Sequence, residues 1–285
     1  MTRKHTRSFD LFSAYSNYLP QWKGMIILLL LMLAGACVGS LVVMLLSMIF
    51  KSGAMNEYSM LISYPLQFIP AMIYAASKSH SNGMFDEKGI ALDNGRFAPV
   101  GGLLMGIMVA VGTIACAVVC EPATKILPQM PEYLKNLMNL IAGGPLWVSL
   151  LTTAVFAPFF EEWLCRGIVL RGMLQKYSPT VAILISAAFF AVIHMNPWQA
   201  IPAFILGCLF GLVYYKTGSL KLTMLMHCAN NTFSVLLSRI PGAEDYEYIY
   251  QVVNDKTLYG IIYLACGLLL FLLVHKLLNT DFAKI

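Results

Sequence analysis

Eight apolar stretches separated by polar connectors dominate the sequence and decide what kind of protein it can form. Each is close to the roughly 20 apolar residues that a helix needs to cross a bilayer. Only 12% of the 285 residues are charged, about half the share in an average soluble domain. This composition excludes a soluble single-core protein, a disordered chain, a disulfide-stapled scaffold and a nucleic-acid-binding protein. The predicted spans are residues 24–50, 58–77, 98–120, 146–167, 180–195, 199–215, 219–238 and 257–275.

These spans predict an all-α, polytopic integral membrane protein with about eight transmembrane helices. We expect a single membrane domain over residues 1–285, because the connectors leave no room for a second one. Pro65, Gln67 and Pro70 interrupt the second span and predict a kinked or tilted helix there. The longest polar stretch, residues 78–96, is predicted to be a loop. A further connector covers residues 121–144.

The distribution of Lys and Arg predicts the orientation of the chain. With the N-terminus in the cytoplasm and eight crossings, 14 of the 19 Lys and Arg residues fall on the cytoplasmic side and 5 on the other. Lys and Arg are enriched in cytoplasmic loops of membrane proteins. The count therefore predicts that both termini are cytoplasmic. The seven cysteines form no C-x-x-C pair, so neither a disulfide framework nor a thiolate metal site is indicated.

Ionisable residues inside spans are costly, so they are paired or functional. The fourth span contains the sequence F-F-E-E-W-L-C-R from Phe159 to Arg166. Glu162 and Arg166 are four residues apart, which predicts an ion pair on one helix face. Glu161 then points about 100° away, without a cation in its own helix. A carboxylate in that position is suited to accept a proton from water. The alternative is a structural cluster that braces the helices.

The fifth span places Phe190 and His194 one helical turn apart. The break between the fourth and fifth spans lies at residues 177–179. In an antiparallel hairpin about this break, Glu161 and His194 are each about 16 residues, or roughly 25 Å, from the turn. We therefore expect these two side chains to lie at the same depth, provided that the fourth helix continues to residue 176.

The seventh span carries His227 and Asn231, four residues apart on one helix face. Neutral histidine and asparagine side chains can donate hydrogen bonds to a developing oxyanion. The same residue types also connect packed transmembrane helices, and this remains the alternative for each motif taken alone. Three such patterns at one depth favour a functional site.

Taken in order, these motifs resemble the CPBP family of intramembrane proteases, also called the ABI family, which includes CAAX prenyl proteases of type II and bacteriocin-processing enzymes. The resemblance covers residues 146–238, which we take as the catalytic helical core, and implies an endopeptidase whose site opens to the cytosol. It implies that Glu161 and His194 activate a water molecule. It also implies that Glu162, Arg166 and Phe190 support the site, and that His227 and Asn231 stabilise the oxyanion.

The sequence does not decide whether the protein uses a metal cofactor. Glu161, His194 and His227 could supply the three protein ligands of a catalytic zinc. The H-E-x-x-H motif of zinc metalloproteases is absent. Asn231 is an unusual zinc ligand and a good oxyanion donor, so the pattern favours a metal-independent mechanism over one Zn.

The expected function is hydrolysis of peptide bonds in membrane-associated proteins or peptides, either in CAAX-type processing or in maturation of leader or bacteriocin-like peptides. A transporter that uses the buried Glu, His and Asn residues is one alternative, and a non-catalytic scaffold or immunity-type protein is another. The expected partners are the substrate and the lipid bilayer, without nucleic acid. The expected location is a bacterial inner membrane.

Overall fold

The computed structural model describes residues 12–50, 54–84, 89–242 and 249–282. Within these residues, all the regular structure is helical. The helices are α1 Trp22–Phe50, α2 Ala54–Gly83, α3 Gly102–Thr124, α4 Glu132–Gly143, α5 Leu146–Leu174, α6 Pro179–Ile193, α7 Pro197–Thr217, α8 Leu220–Leu237, α9 Ile249–Val253 and α10 Lys256–Asn279.

A helix lies at each of the eight predicted spans. Six of them are long and apolar enough to cross a membrane, namely α1, α2, α3, α5, α7 and α10. The helix α6 is also apolar but has only 15 residues, and α8 carries His227 and two asparagines. The prediction of an all-α integral membrane protein is therefore confirmed. Eight crossings, cytoplasmic termini and a single domain over residues 1–285 stay predictions.

Two connectors contain more helix than predicted. The helix α2 continues through Pro65 and Pro70 to Gly83, so residues 78–83 are helical and the predicted loop is shorter. Each of these prolines lacks the N–H that would bond one turn back, yet neither ends the helix. The short helix α4 occupies part of the connector predicted at residues 121–144.

Local sequence signals explain where the core helices begin and end. Both α6 and α7 start with proline, whose missing N–H costs nothing at the first position of a helix. The Asn196 side chain caps α7 by accepting a hydrogen bond from the Trp198 N–H. Gly218 ends α7 with a φ of 66°, in the left-handed region that glycine adopts without strain. Ser219 then caps α8 through the Leu222 N–H.

The helix α5 is the central element of the structure. All eight residues from Trp163 to Leu170 are buried, so this stretch is covered by protein on every side. Its neighbours include α2, α6, α7 and α8. In contrast, α10 buries only Leu273 and Leu277 and exposes large apolar side chains, as expected for a helix that faces lipid. Polar residues on α5 are thus shielded from the membrane by the surrounding helices.

Candidate active site

The predicted Glu-Glu pair lies in the middle of α5, between two segments of unusual helical winding. Residues Leu150–Phe156 and Trp163–Leu170 wind as π-helix, while Ala157–Glu162 is α-helical. Such π segments widen the helix and occur frequently at functional sites. Glu161 and Glu162 stand at the end of the α-helical turn, next to the second π segment. Both side chains are buried, with residue exposures of 8% and 0%.

Glu162 forms the predicted ion pair with Arg166. The Arg166 Nη1 donates to Glu162 Oε1 at 2.8 Å, and both side chains are fully buried. Arg166 Nη2 also donates to the Gly207 carbonyl on α7 at 3.0 Å. The guanidinium lies over the rings of Phe190 and Phe210, with centroid distances of 4.5 and 5.2 Å. The ion pair therefore connects α5 to α6 and α7, which agrees with a supporting role.

His227 on α8 lies between the two glutamates. Its Nδ1 is 3.0 Å from Glu162 Oε1, and its Nε2 is 3.9 Å from Glu161 Oε2. A carboxylate can only accept, so the Glu162 contact favours a proton on Nδ1. The Nε2 atom then faces Glu161 at a distance beyond a direct hydrogen bond. Glu161 and His227 thus lie close together in the structure.

Tyr64 on α2 is a site residue that the sequence analysis missed. Its hydroxyl donates a hydrogen bond to Glu161 Oε1. The other oxygen, Oε2, is buried and accepts no hydrogen bond from any described residue. The sequence signal was weak, because Tyr64 is not ionised at neutral pH and lies in the span predicted to be distorted at Pro65.

His194 does not join Glu161 directly. Within the described parts of the chain, no hydrogen bond or ion pair links their side chains. His194 follows the last residue of α6, and its Nδ1 is 2.7 Å from the Phe190 carbonyl. That carbonyl can only accept, so Nδ1 is the donor and Nε2 takes no part in this hydrogen bond. The Phe190 ring contacts both imidazoles, at centroid distances of 4.9 Å to His194 and 5.4 Å to His227.

Asn231 lies one turn beyond His227 on α8. Its Nδ2 donates to the Thr153 carbonyl of α5 at 2.7 Å, and its Oδ1 accepts from Asn230 Nδ2 at 3.0 Å. Since an amide nitrogen carries two hydrogens, the second one is left for another acceptor. The side chain is therefore held in a fixed orientation and still has a donor to offer.

The three side chains offered by the sequence as zinc ligands do not form a ligand set. A zinc ion needs its protein ligands about 2 Å from one point. Over the described residues, no group of three or more His, Cys, Asp and Glu side chains is arranged to hold a metal ion. One oxygen of Glu161 is bound to Tyr64, and no hydrogen bond or ion pair joins His194 to Glu161 among the described residues. As they are arranged, the described side chains do not fit a zinc ion.

These observations define a class of protein: an integral membrane protein of helices with a buried cluster of ionisable residues on its central helix. Residues 143–233 match the model of the Rce1-like family of type II CAAX prenyl endopeptidases. The resemblance seen in the motifs is thereby confirmed for residues 143–233, which we call the Rce1-like domain after the model that they match. The matched segment contains all seven site residues predicted from the sequence, and Tyr64 lies outside it.

One relative is a protein of Bacillus subtilis (strain 168) named as a candidate membrane peptidase, YdiL. The two chains are 24% identical over 110 residues, which is 39% of this chain and 44% of the relative. The chain thus matches less than half of the length of this relative. No solved structure matches the chain significantly.

Proposed function

We propose that the protein is an intramembrane endopeptidase that hydrolyses peptide bonds of membrane-associated proteins or peptides. The observation that carries this proposal is the buried Glu161 inside an Rce1-like domain, with one carboxylate oxygen held by Tyr64 and the other accepting no hydrogen bond from the described residues. A peptidase needs a group that takes a proton from water at the scissile bond. Glu161 has the chemistry and the free acceptor atom for this role.

The reaction proceeds by attack of water on the substrate carbonyl. Glu161 Oε2 accepts one proton of a water molecule, and the water oxygen forms a bond with the carbonyl carbon. When the carbon–nitrogen bond breaks, Glu161 returns the proton to the leaving amine. His194 assists by offering its Nε2 lone pair as a second acceptor, because Nδ1 is committed to the Phe190 carbonyl.

The negative charge on the tetrahedral intermediate requires donors that are already in place. Asn231 offers the amide hydrogen that Thr153 does not use. His227 lies beside Glu161, and a proton on its Nε2 would serve as a second donor to the oxyanion. Glu162, Arg166 and Phe190 support this arrangement by holding His227 and the neighbouring helices.

The resemblance and the charge pattern support our proposals for the location, the orientation, the catalytic core, the substrates and the metal dependence. We place the protein in a bacterial inner membrane, with the site open to the cytoplasm and both termini on that side. We take residues 146–238 as the catalytic core. The substrates are CAAX-type proteins, or leader and bacteriocin-like peptides, and the mechanism is metal-independent.

The test is Glu161→Gln in purified protein reconstituted into liposomes. Two internally quenched peptides serve as probes, one with a farnesylated C-terminal CAAX sequence and one with an unmodified transmembrane segment. The amide keeps the size of the side chain but cannot take a proton from water, so we expect cleavage to be abolished in a folded protein.

Glu121→Gln is the matched control. Glu121 is also buried, and it accepts hydrogen bonds from the Ile249 N–H and the Tyr259 hydroxyl, outside the site. This variant should cleave the probes at the wild-type rate. Cleavage by Glu161→Gln within tenfold of wild type would refute the assignment of Glu161 as the base.

A further inference from the structure

The contact between Tyr64 and Glu161 joins the Rce1-like domain to a helix outside it. Residues 143–233 match the family model, whereas Tyr64 belongs to α2. We propose that Tyr64 is a positioning residue of the peptidase site, whose hydroxyl holds one oxygen of Glu161 so that the other faces the attacking water. This inference rests on the proposed function. It means that the site is incomplete without α2.

The two oxygens of Glu161 have different surroundings. Oε1 accepts the hydrogen bond from Tyr64. Oε2 is buried, accepts no hydrogen bond from the described residues and lies 3.9 Å from His227 Nε2. A glutamate side chain has three rotatable bonds, and its carboxylate can turn unless something fixes it. The Tyr64 hydroxyl fixes it at one oxygen and leaves the other available, as a base in this position requires.

The packing around Tyr64 holds α2 at a fixed height against α5. One turn further along α2, the ring of Phe68 stacks on Phe160, with centroids 5.2 Å apart and planes within 13°. Phe160 immediately precedes Glu161, so this stack fixes the turn of α5 that carries the carboxylate. The Phe68 side chain is almost completely buried.

The helix α1 fixes α2 from the other side. A Cβ added to Gly35 would lie 2.3 Å from the Gln67 carbonyl oxygen, and one added to Gly39 would lie 2.9 Å from the Ser63 carbonyl oxygen. Only glycine allows the two backbones to approach so closely. Both contacts are within one turn of Tyr64, so α1 and α5 together determine where its hydroxyl lies.

The same contact has an opposite explanation, in which Tyr64 inhibits the site. The hydrogen bond from Tyr64 would then block Glu161 in the resting protein and would have to break before catalysis. The geometry favours positioning, because Tyr64 binds only one oxygen and the free oxygen is the one that faces His227. The two explanations predict changes in kcat of opposite sign when the Tyr64 hydroxyl is removed.

The experiment compares Tyr64→Phe with Tyr259→Phe. Tyr259 also donates its hydroxyl to a glutamate, at 2.9 Å from Glu121 Oε2, so the second variant removes the same kind of bond away from the site. The substrates are the same two quenched peptides in liposomes. We expect Tyr64→Phe to lower kcat about tenfold to a hundredfold with KM within twofold of wild type, since hydrogen bonds to charged groups are among the stronger ones. Tyr259→Phe should keep both constants.

A stability measurement tests the contact without any substrate. The melting temperatures of wild type, Tyr64→Phe, Glu161→Ala and the double variant form a cycle. If Tyr64 holds Glu161, Glu161→Ala should lower the melting temperature less when it is made in Tyr64→Phe than when it is made in the wild type. Additive shifts would show that the two side chains do not interact and would overturn the proposal.

The kinetic outcomes separate this inference from the proposed function. A wild-type or increased kcat in Tyr64→Phe, with Glu161→Gln inactive, would overturn the positioning role and leave the peptidase assignment standing. An increase in KM alone would assign Tyr64 to substrate binding and would also overturn it. If the wild-type protein cleaves neither probe, the proposed function loses its support for these substrates, while the stability cycle still decides whether Tyr64 holds Glu161.

Discussion

Substitution of Arg166 by alanine is the most direct test of how the site is held together. Arg166 is fully buried and donates to Glu162 at 2.8 Å and to the Gly207 carbonyl at 3.0 Å. Alanine would leave the Glu162 carboxylate buried without its cation, and the Gly207 carbonyl without its donor. Because neither member of the ion pair is exposed, solvent cannot screen the loss.

The magnitude follows from that burial. Removing one partner of a buried ion pair costs about 3–5 kcal/mol. For a chain of this size, 1 kcal/mol corresponds to about 2 °C in melting temperature. We therefore expect Arg166→Ala to melt about 6–10 °C below wild type, with a lower yield and no activity. The assay is thermal unfolding by intrinsic fluorescence, with all variants in the same detergent.

Two further variants make the result specific. Glu162→Gln/Arg166→Met removes both charges, keeps an acceptor for His227 and places a thioether against Phe190 and Phe210. Neutral replacement of a buried ion pair is often harmless, so this variant should recover at least half of the lost melting temperature. Lys221→Ala breaks a surface ion pair with Asp93, where the lysine side chain is 79% exposed. Such pairs contribute about 0–1 kcal/mol, so it should melt within about 2 °C of wild type.

A melting temperature of Arg166→Ala within about 2 °C of wild type would refute this reasoning. The same holds if the doubly neutral variant were no more stable than Arg166→Ala. A variant of normal stability without activity would instead assign Arg166 to the chemistry.

Two other predictions concern the mechanism. Exhaustive chelation should leave the activity of the purified protein essentially intact; one stoichiometric zinc by elemental analysis, whose removal stops cleavage and whose return restores it, would contradict the metal-independent mechanism. His227→Asn should lower kcat on the order of a hundredfold or more by removing an oxyanion donor, without changing the metal content; a kcat within threefold of wild type would contradict that role.

Much of the fold could be predicted because its signals are local. Long apolar runs predicted the helices, and the residues between them predicted the turns. Residues 175–178 separate α5 from α6, at the break that the sequence predicted at residues 177–179, and Gly218 ends α7. The ion pair of Glu162 and Arg166 was also predictable, since a spacing of four places two side chains on one helix face. The helical content of residues 78–83 was missed, because polar residues at the end of a span resemble a loop.

The role of α2 could not be predicted in the same way. Tyr64 reaches Glu161 only because Phe68 stacks on Phe160 and because two glycines let α1 approach α2 closely. These are contacts between residues far apart in the chain, and no spacing within α2 reports them. A search for ionisable residues inside spans also passes over tyrosine. The missing part of the site was therefore a packing relationship, not a motif.

His194 shows the limit of counting residues along antiparallel helices. The count gives the height of a residue above a turn, because each residue adds about 1.5 Å. It does not give the direction in which the side chain points, which depends on how each helix is rotated about its own axis. Phe190 and His194 are four apart and share a face, and the Phe190 ring contacts both histidines. His194 is thus connected to the cluster through Phe190. A substrate or water molecule has to span the remaining distance to Glu161 for both groups to act on one reaction.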